Sequence, residues 1–220
     1  MLRLKESTSG LTYLLQSHPN NDVMKEEILA LKLYEAFGLA VPDYAIINGR
    51  GIEMNLKGFP CSGNNFFILI EDFLKTESPY SETPIEDHLR THFVLDAFLS
   101  HCGLIREQAI HQVSLQSNGL VYRPDMFATL RSGFGGKHKK RQPNWTLDKV
   151  IELDWFRDSS QNPQGALLFS SLSNNELKAQ IDTLLAKEEL ILSTFETTQK
   201  ILVMNNSDEL RLMLKSRLND

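Results

Sequence analysis

Cysteine is scarce in this sequence of 220 residues, in which only Cys61 and Cys102 are present. Neither has a second cysteine or a histidine at the spacing of a zinc knuckle, so we interpret both as buried or neutral thiols. Long apolar runs are also missing, because the stretch FFILIEDFL meets Glu71 and Asp72 within a few residues. A membrane span needs about 20 apolar residues. The sequence therefore predicts neither a disulfide scaffold nor a membrane span.

The first residues lack the apolar stretch of a signal peptide. MLRLKESTSG places charged residues where that stretch would lie. We therefore expect a cytoplasmic protein, and secretion as an effector by a route without a cleaved signal remains the alternative.

Positive charge is not in excess. The formal net charge is -5 at pH 7, whereas general nucleic-acid binding needs a basic surface that displaces counterions. The G-x-S-x-G signature of a serine nucleophile and the P-loop are both absent. His88 and His92 lie one helical turn apart without the Glu of H-E-x-x-H between them, so we interpret His92 as a hydrogen-bonded core or boundary residue.

Strand and helix signals follow one another in a single unit without repeats or low-complexity blocks. In the first third, LRLKES and LTYLLQ predict strands, and MKEEILALKLYEAFG predicts a helix over residues 22–37 that Gly38 ends. DYAIING and GIEMNL predict strands paired around Asn48-Gly49, and NNFFILIEDFL predicts a buried strand.

Helices dominate the remainder of the sequence. IEDHLRTHFVLDAFLSHCG predicts one core helix, because apolar residues recur at four-residue steps from Ile85 to Ala97. HQVSLQSNGLVYRPD predicts a hairpin around Asn118-Gly119. WTLDKVIELDWF, LSNNELKAQIDTLLAKEELILSTFETTQKIL and DELRLMLKSRL predict helices, with caps in the stretch from Ser173 to Glu176. The fold class that these signals predict is α+β.

The stretch KEEILALKLYEAFGLAVPDYAII has a Glu, then small and apolar residues, then Gly-Leu-Ala-Val-Pro before a strand. In this it resembles HipA-type and bacterial phosphatidylinositol-kinase-like proteins of the protein-kinase-like superfamily, over residues 2–130 by motifs. The resemblance implies one two-lobed kinase-like domain over residues 1–220. Its reduced N-terminal β lobe would span residues 1–75 with the helix at 22–37, and its helical C-terminal lobe would span residues 76–220.

The resemblance also assigns nucleotide-binding roles to Gln16, Glu27 and Glu71. Glu27 takes the place of the helix glutamate, and Glu71 lies on the strand that enters the hinge. Gln16 stands where the phosphate-binding lysine is expected. Glutamine donates hydrogen bonds to phosphate but cannot form an ion pair with Glu27. Lys5 on the neighbouring strand is the alternative cation.

For the catalytic loop, the favoured register puts Glu107 at the catalytic Asp and Gln112 at the metal-binding Asn, with the spacing of D-x-x-x-x-N. An alternative register puts Gly103 and Gln108 at those positions. Glu107 and Gln112 are each one methylene longer than the expected residue, and a displacement of about 1 Å can lower a rate roughly a hundredfold. The sequence therefore predicts weak or absent phosphoryl transfer.

The run from Val121 to Phe127 resembles the hairpin strand that ends in the metal-binding Asp, with Asp125 as that residue. The resemblance implies that Asp125 and Gln112 hold Mg²⁺ against the phosphates of ATP. No G-x-G-x-x-G precedes LTYLLQ, so only the turn from Ser7 to Gly10 is left to cover the phosphates. The alternative role of Asp125 is to cap the next turn.

A basic run stands out in this acidic chain, and its cations are Lys137, Lys139, Lys140 and Arg141. Flexible glycines followed by cations suit a phosphate-rich ligand or an acidic partner. A solvated surface loop is the alternative interpretation. The binding interpretation predicts an affinity that weakens steeply with salt.

Three functions follow from these features. The leading hypothesis is a pseudokinase that binds a nucleotide or phosphate ligand weakly and acts through a protein partner. The second is an active, atypical ATP-dependent phosphotransferase with a protein substrate, in which Glu107 is the base and Asp125 and Gln112 hold the metal. The third is a non-catalytic, α-rich interaction module without kinase ancestry.

Overall fold

The computed structural model describes residues 2–5, 8, 12–16, 21–41, 43–48, 66–71, 83–99, 114–115, 121–122, 157–160, 162–202 and 207–218. The strands are Leu2–Lys5 (β1), Thr12–Gln16 (β2), Tyr44–Asn48 (β3), Phe66–Glu71 (β4), Ser114–Leu115 (β5) and Val121–Tyr122 (β6). The helices are Asn21–Ala36 (α1), Thr83–Thr91 (α2), Phe93–Phe98 (α3), Pro163–Phe169 (α4), Asn174–Leu185 (α5), Glu188–Leu202 (α6) and Ser207–Leu218 (α7). This part of the chain is mainly helical.

The first four strands form an antiparallel sheet with the order β1-β2-β4-β3. Strand β4 lies between β2 and β3, with Leu15 opposite Leu69 on one side and Ile46 opposite Ile68 on the other. A strand with neighbours on both sides typically has a continuous apolar run such as FFILI. The structure confirms the strand that was predicted for this run. Strands β5 and β6 form the separate antiparallel pair that the hairpin signal predicts.

Helix α1 connects β2 to β3 and confirms the helix predicted over residues 22–37, within one residue at each end. It packs against β4 and also against α6. As a result, every residue from Val23 to Leu31 is buried, including charged ones. An amphipathic surface helix would leave one side in water, so α1 is a central helix instead.

Helix α1 ends at the predicted glycine. Gly38 has φ 79°, a left-handed conformation that residues with a Cβ rarely adopt. Its amide donates to the Glu35 carbonyl at 2.8 Å, and the Leu39 amide donates to the Tyr34 carbonyl at 3.0 Å. These two bonds form a Schellman motif, which satisfies carbonyls of the last turn.

The single core helix predicted over residues 85–103 is wrong, because α2 and α3 are separated at His92, whose φ of -113° and ψ of 14° are not helical. In a continuous helix the Val94 amide would donate to the Arg90 carbonyl. The Gln180 side chain of α5 stands between them, accepting from Val94 N at 3.1 Å and donating to Arg90 O at 2.8 Å. A side chain inserted into the hydrogen-bond ladder is a recognised cause of a helix break.

Helix α4 is the element that sequence analysis missed. Its N-cap is Asn162, whose Oδ1 accepts from the Gly165 amide at 3.3 Å, and Pro163 occupies its first turn. Helix α5 begins in the predicted way, since Ser173 and Glu176 form a reciprocal capping box.

The last two helices close the core. Helix α7 packs on α6 and confirms the helix predicted for DELRLMLKSRL. The buried Arg217 donates to the Phe98 carbonyl of α3, and its guanidinium carbon lies 5.9 Å from the centre of the Phe98 ring. Burial lowers the pKa of Arg217 to about 10, so the side chain remains a cation at neutral pH.

Within the described ranges, no helix has the length and apolar character that crossing a membrane requires. Three predicted features lie outside those ranges: the strand GIEMNL, the Asn118-Gly119 turn and the helix WTLDKVIELDWF.

Candidate functional site

Glu27 lies in the buried first half of α1. Its side chain belongs to a run of three charged residues, of which Glu27 and Glu26 are 1 % exposed and Lys25 is 5 % exposed. The Lys25 ammonium lies 3.6 Å from Asp22 Oδ1 in the same helix. Burying a charge is costly unless it is compensated inside the protein. Glu27 is therefore an interior carboxylate on the helix that packs against the sheet.

The backbone register relates position 16 to this helix. On β2, position 16 lies opposite Ile68 and two residues after Leu14. Alternate positions of a strand belong to one face of the sheet. Three residues of that face pack against the hydrophobic core, which includes residues of α1: Leu14, Tyr44 and Ile46. Position 16 thus belongs to the sheet face on the side of the helix that carries Glu27.

Position 71 belongs to the opposite set of alternate positions. Glu71 pairs with Tyr13, three residues before Gln16 on β2. At about 3.4 Å per residue, the two backbone positions are roughly 10 Å apart along the strands. The register therefore puts two of the predicted nucleotide-binding positions at different ends of the β2–β4 pair.

The other predicted site residues lie outside the described residues. These are Glu107 of the catalytic loop, Gln112 and Asp125 of the metal site, and Lys137, Lys139, Lys140 and Arg141 of the basic run. Their positions relative to Glu27 therefore remain predictions. In the ranges that the structure does describe, there is no group of three or more His, Cys, Asp or Glu side chains arranged to hold a metal ion.

The interpretation of His92 as a hydrogen-bonded boundary residue is confirmed. Its ring is partly buried, and Nδ1 lies 2.8 Å from the His88 carbonyl. A carbonyl only accepts, so Nδ1 carries the hydrogen. The His88 and His92 ring centres are 4.5 Å apart.

Sequence analysis missed a buried polar contact between α1 and α3. The Tyr34 hydroxyl donates to Asp96 Oδ1 at 2.6 Å, and both side chains are fully buried. A signal was present in the sequence, because Asp96 interrupts the apolar run FVLDAF. A carboxylate in such a run requires a buried partner.

A second polar contact joins α1 to the sheet. The Tyr44 hydroxyl of β3 donates to Glu35 Oε2 at 2.9 Å and accepts from Lys32 Nζ at 3.3 Å. Burial raises the pKa of Tyr44 above its ordinary value, and the hydrogen bond and charge of Glu35 raise it further. Tyr44 therefore stays neutral well into the alkaline range.

A groove of about 280 Å³ opens near the C-terminal end of α1. Its lining comes from Phe37 after α1, from the junction of α2 and α3 around His92, and from α5 with Lys187 beyond it. Among the described residues that line it, none was predicted for a nucleotide site. Ten residues of helix separate Glu27 from Phe37, which corresponds to roughly 15 Å, so the groove and the Glu27 region are distinct places.

Of the predicted site, the described residues contain only the first half of α1 and the adjacent face of the sheet. Comparison with protein-family models, curated proteins and solved structures found no match for this chain.

Proposed function

We propose that this chain is a pseudokinase of the protein-kinase-like superfamily, with degraded catalytic motifs and a HipA-type ancestry. In this proposal it is a two-lobed domain that binds ATP with Mg²⁺, or another phosphate ligand, weakly between the sheet and the end of the β5–β6 hairpin. It acts through a protein partner rather than by transferring phosphate.

The observation that supports this proposal most is the relation between β2 and α1. Helix α1 follows β2 and packs against the same sheet, and it holds Glu27 at 1 % exposure. The register assigns position 16 to the face of the sheet on that side. A kinase-like phosphate site needs these two positions to converge, since the strand residue and the helix glutamate act together there.

The order of the elements supports it as well. Two strands, a helix, two strands, a helical segment, a short hairpin and further helices follow one another along the described chain. This is similar to the element order of the protein-kinase superfamily, in which one long helix stands where α2 and α3 follow each other here.

The proposal of lost catalysis depends on three residue types. Gln16, Glu107 and Gln112 stand where lysine, aspartate and asparagine are expected. Glutamine at position 16 removes a positive charge from the phosphates, and Glu107 and Gln112 displace the reacting groups by one methylene each. Binding tolerates such changes better than phosphoryl transfer does, because transfer depends on precise alignment.

An active phosphotransferase is the competing function. The preserved five-residue step from Glu107 to Gln112 and the retained Asp125 favour it. In that mechanism Glu107 would accept the proton of the acceptor hydroxyl, while Gln112 and Asp125 would hold Mg²⁺.

Calorimetric titration with ATP and MgCl₂, combined with a radiolabelled phosphotransfer assay, tests the proposal. We expect weak binding that Asp125→Ala abolishes, without transfer to the protein itself or to a generic protein substrate. Asp182→Ala is the matched control, because Asp182 is exposed on α5. Transfer that Asp125→Ala abolishes would establish the phosphotransferase instead. The absence of any binding would favour the interaction module.

A further inference from the structure

The groove at the end of α1 has the size and lining of a small-molecule site. Its volume of about 280 Å³ exceeds the roughly 150 Å³ of an engineered cavity that binds benzene in another protein. Four apolar side chains contribute to its wall: Phe37, Leu95, Ala179 and Leu184. Leu95 and Leu184 are 5 % and 1 % exposed and belong to the hydrophobic core, so this part of the wall is fixed in place.

Several polar side chains of the groove already form hydrogen bonds within the protein. Gln180 uses both ends of its amide in bridging the break between α2 and α3. The Thr183 hydroxyl donates to the Ala179 carbonyl, and the Thr91 hydroxyl donates to the Asp87 carbonyl, each at 2.8 Å. These bonds fix the shape of that part of the wall.

Lys187 contributes an ammonium group to the lining. Its ammonium lies 4.6 Å from the centre of the Phe37 ring, which holds it at the groove by a cation–π contact. Among the residues that the structure describes, no carboxylate forms an ion pair with Lys187, and the groove lining contains no Asp or Glu. The ammonium is therefore a cation with donors available to an anion.

The helix ends near the groove do not cancel this charge. Helices α1, α2 and α5 all end beside the groove, and such C-terminal ends carry partial negative charge. However, donors already bind carbonyls of each last turn: the Gly38 amide donates to Glu35, the Lys187 amide to Leu184, and the Gln180 side chain to Arg90. The ammonium carries a full charge, so it dominates the recognition of a ligand.

We propose that this groove binds a small organic anion, namely a carboxylate or a phosphate monoester carried on a single apolar ring. Lys187 pairs with the anionic group, and the ring lies against Phe37, Leu95 and Leu184. Because Phe37 and Lys187 already contact each other, the ligand completes a layer of ring, cation and anion.

Phenyl phosphate is the probe that tests this site, titrated into ¹⁵N-labelled protein and followed by NMR. We expect saturable shifts that include the side-chain amide of Gln180. Lys187→Met keeps the aliphatic stem and removes the charge, and it weakens binding by about tenfold or more, because charge-assisted hydrogen bonds are worth that much. Lys178→Met is the matched control: Lys178 is exposed on α5, the helix that precedes Lys187, and does not line the groove, so the affinity stays unchanged.

Two further arms separate the ring from the anion. Ala179→Trp fills the groove from an exposed position on α5 and abolishes binding while the helical circular dichroism is retained. Inorganic phosphate alone binds at least tenfold more weakly than phenyl phosphate, since the apolar wall contributes to the affinity. Equal affinity in Lys187→Met and the unaltered protein would overturn the proposal. Equal binding of inorganic phosphate, or no saturable binding of phenyl phosphate, would overturn it too.

Discussion

The hydrogen bond from Tyr34 to Asp96 links the central helix to the middle of the chain, and its removal has a calculable cost. Tyr34→Phe deletes the hydroxyl that donates to Asp96 Oδ1 at 2.6 Å and leaves the ring in place. Both residues are 0 % exposed, so water cannot replace the lost donor. The substitution therefore removes one hydrogen bond and creates almost no cavity.

The magnitude follows from the kind of bond that is lost. A buried acceptor that loses a hydrogen-bond partner costs about 1.5 to 3 kcal/mol when a charged group is involved. For a chain of this size, 1 kcal/mol corresponds to a shift in Tm of about 2 to 4 °C. We therefore expect Tyr34→Phe to lower the free energy of unfolding by about 1.5 to 3 kcal/mol and Tm by about 3 to 12 °C.

Urea denaturation followed by circular dichroism measures this change as a lower midpoint with an unchanged slope. Asp96→Asn alone and combined with Tyr34→Phe completes a double-mutant cycle, which isolates the energy of the pair. A loss below about 0.5 kcal/mol in Tyr34→Phe, within the range of ordinary surface substitutions, would refute the assignment of a strong buried bond.

Three further changes test other parts of the fold. Ser173→Ala removes the capping box of α5 and lowers the free energy of unfolding by about 1 kcal/mol in urea. The same change raises the lowered pKa of Glu176, since the side chain and then the backbone of Ser173 cause that lowering. The stability gained from this lowered pKa is present at neutral pH and lost as pH falls through the acidic range, so the variant shows a weaker acid dependence. Gly38→Ala lowers the free energy of unfolding by about 1 to 2 kcal/mol. The left-handed φ is the whole cause of this loss, because an added Cβ meets nothing within 4 Å. An unchanged urea midpoint would contradict this strain. Tyr44→Phe removes a tyrosine transition that lies above the ordinary tyrosine range, in an absorbance titration at high pH. The stability that the raised pKa of Tyr44 provides is complete below its ordinary value near 10 and declines above it; an unchanged titration curve would contradict the assignment.

Local signals in the sequence were sufficient for most of the elements. Gly38 ends α1 because only its left-handed backbone permits the Schellman bonds, and Ser173 with Glu176 starts α5 through bonds within one turn. Such features depend on neighbouring residues, so spacing and residue type predict them.

Features that depend on distant residues escaped prediction. The break at His92 depends on Gln180, which lies more than 80 residues later. Nothing in the sequence near position 92 indicates this break. Lys25 and Glu26 are likewise buried in α1, a helix that packs against both β4 and α6. Tertiary packing overrides local periodicity in both cases.

The same contrast between local and distant residues applies to the candidate site. Position 27 was predicted from a motif within one helix, and its burial agrees with an interior role. The groove beside Phe37 and Lys187 was not predicted, because its wall comes from three separate parts of the chain. A sequence pattern shows such a site only when its residues share one element.

One measurement tests the proposed nucleotide site most directly. It compares the dissociation constants of Gln16→Lys and of the unaltered protein for ATP with Mg²⁺. Lysine restores the expected cation on the sheet face beside the helix of Glu27, so we expect binding to tighten by about tenfold or more. The gain disappears when Asp125→Ala is added, and Ser171→Lys, which adds the same charge at an exposed position, has no effect. An unchanged affinity in Gln16→Lys would contradict a site in which position 16, Glu27 and Asp125 converge on the phosphates.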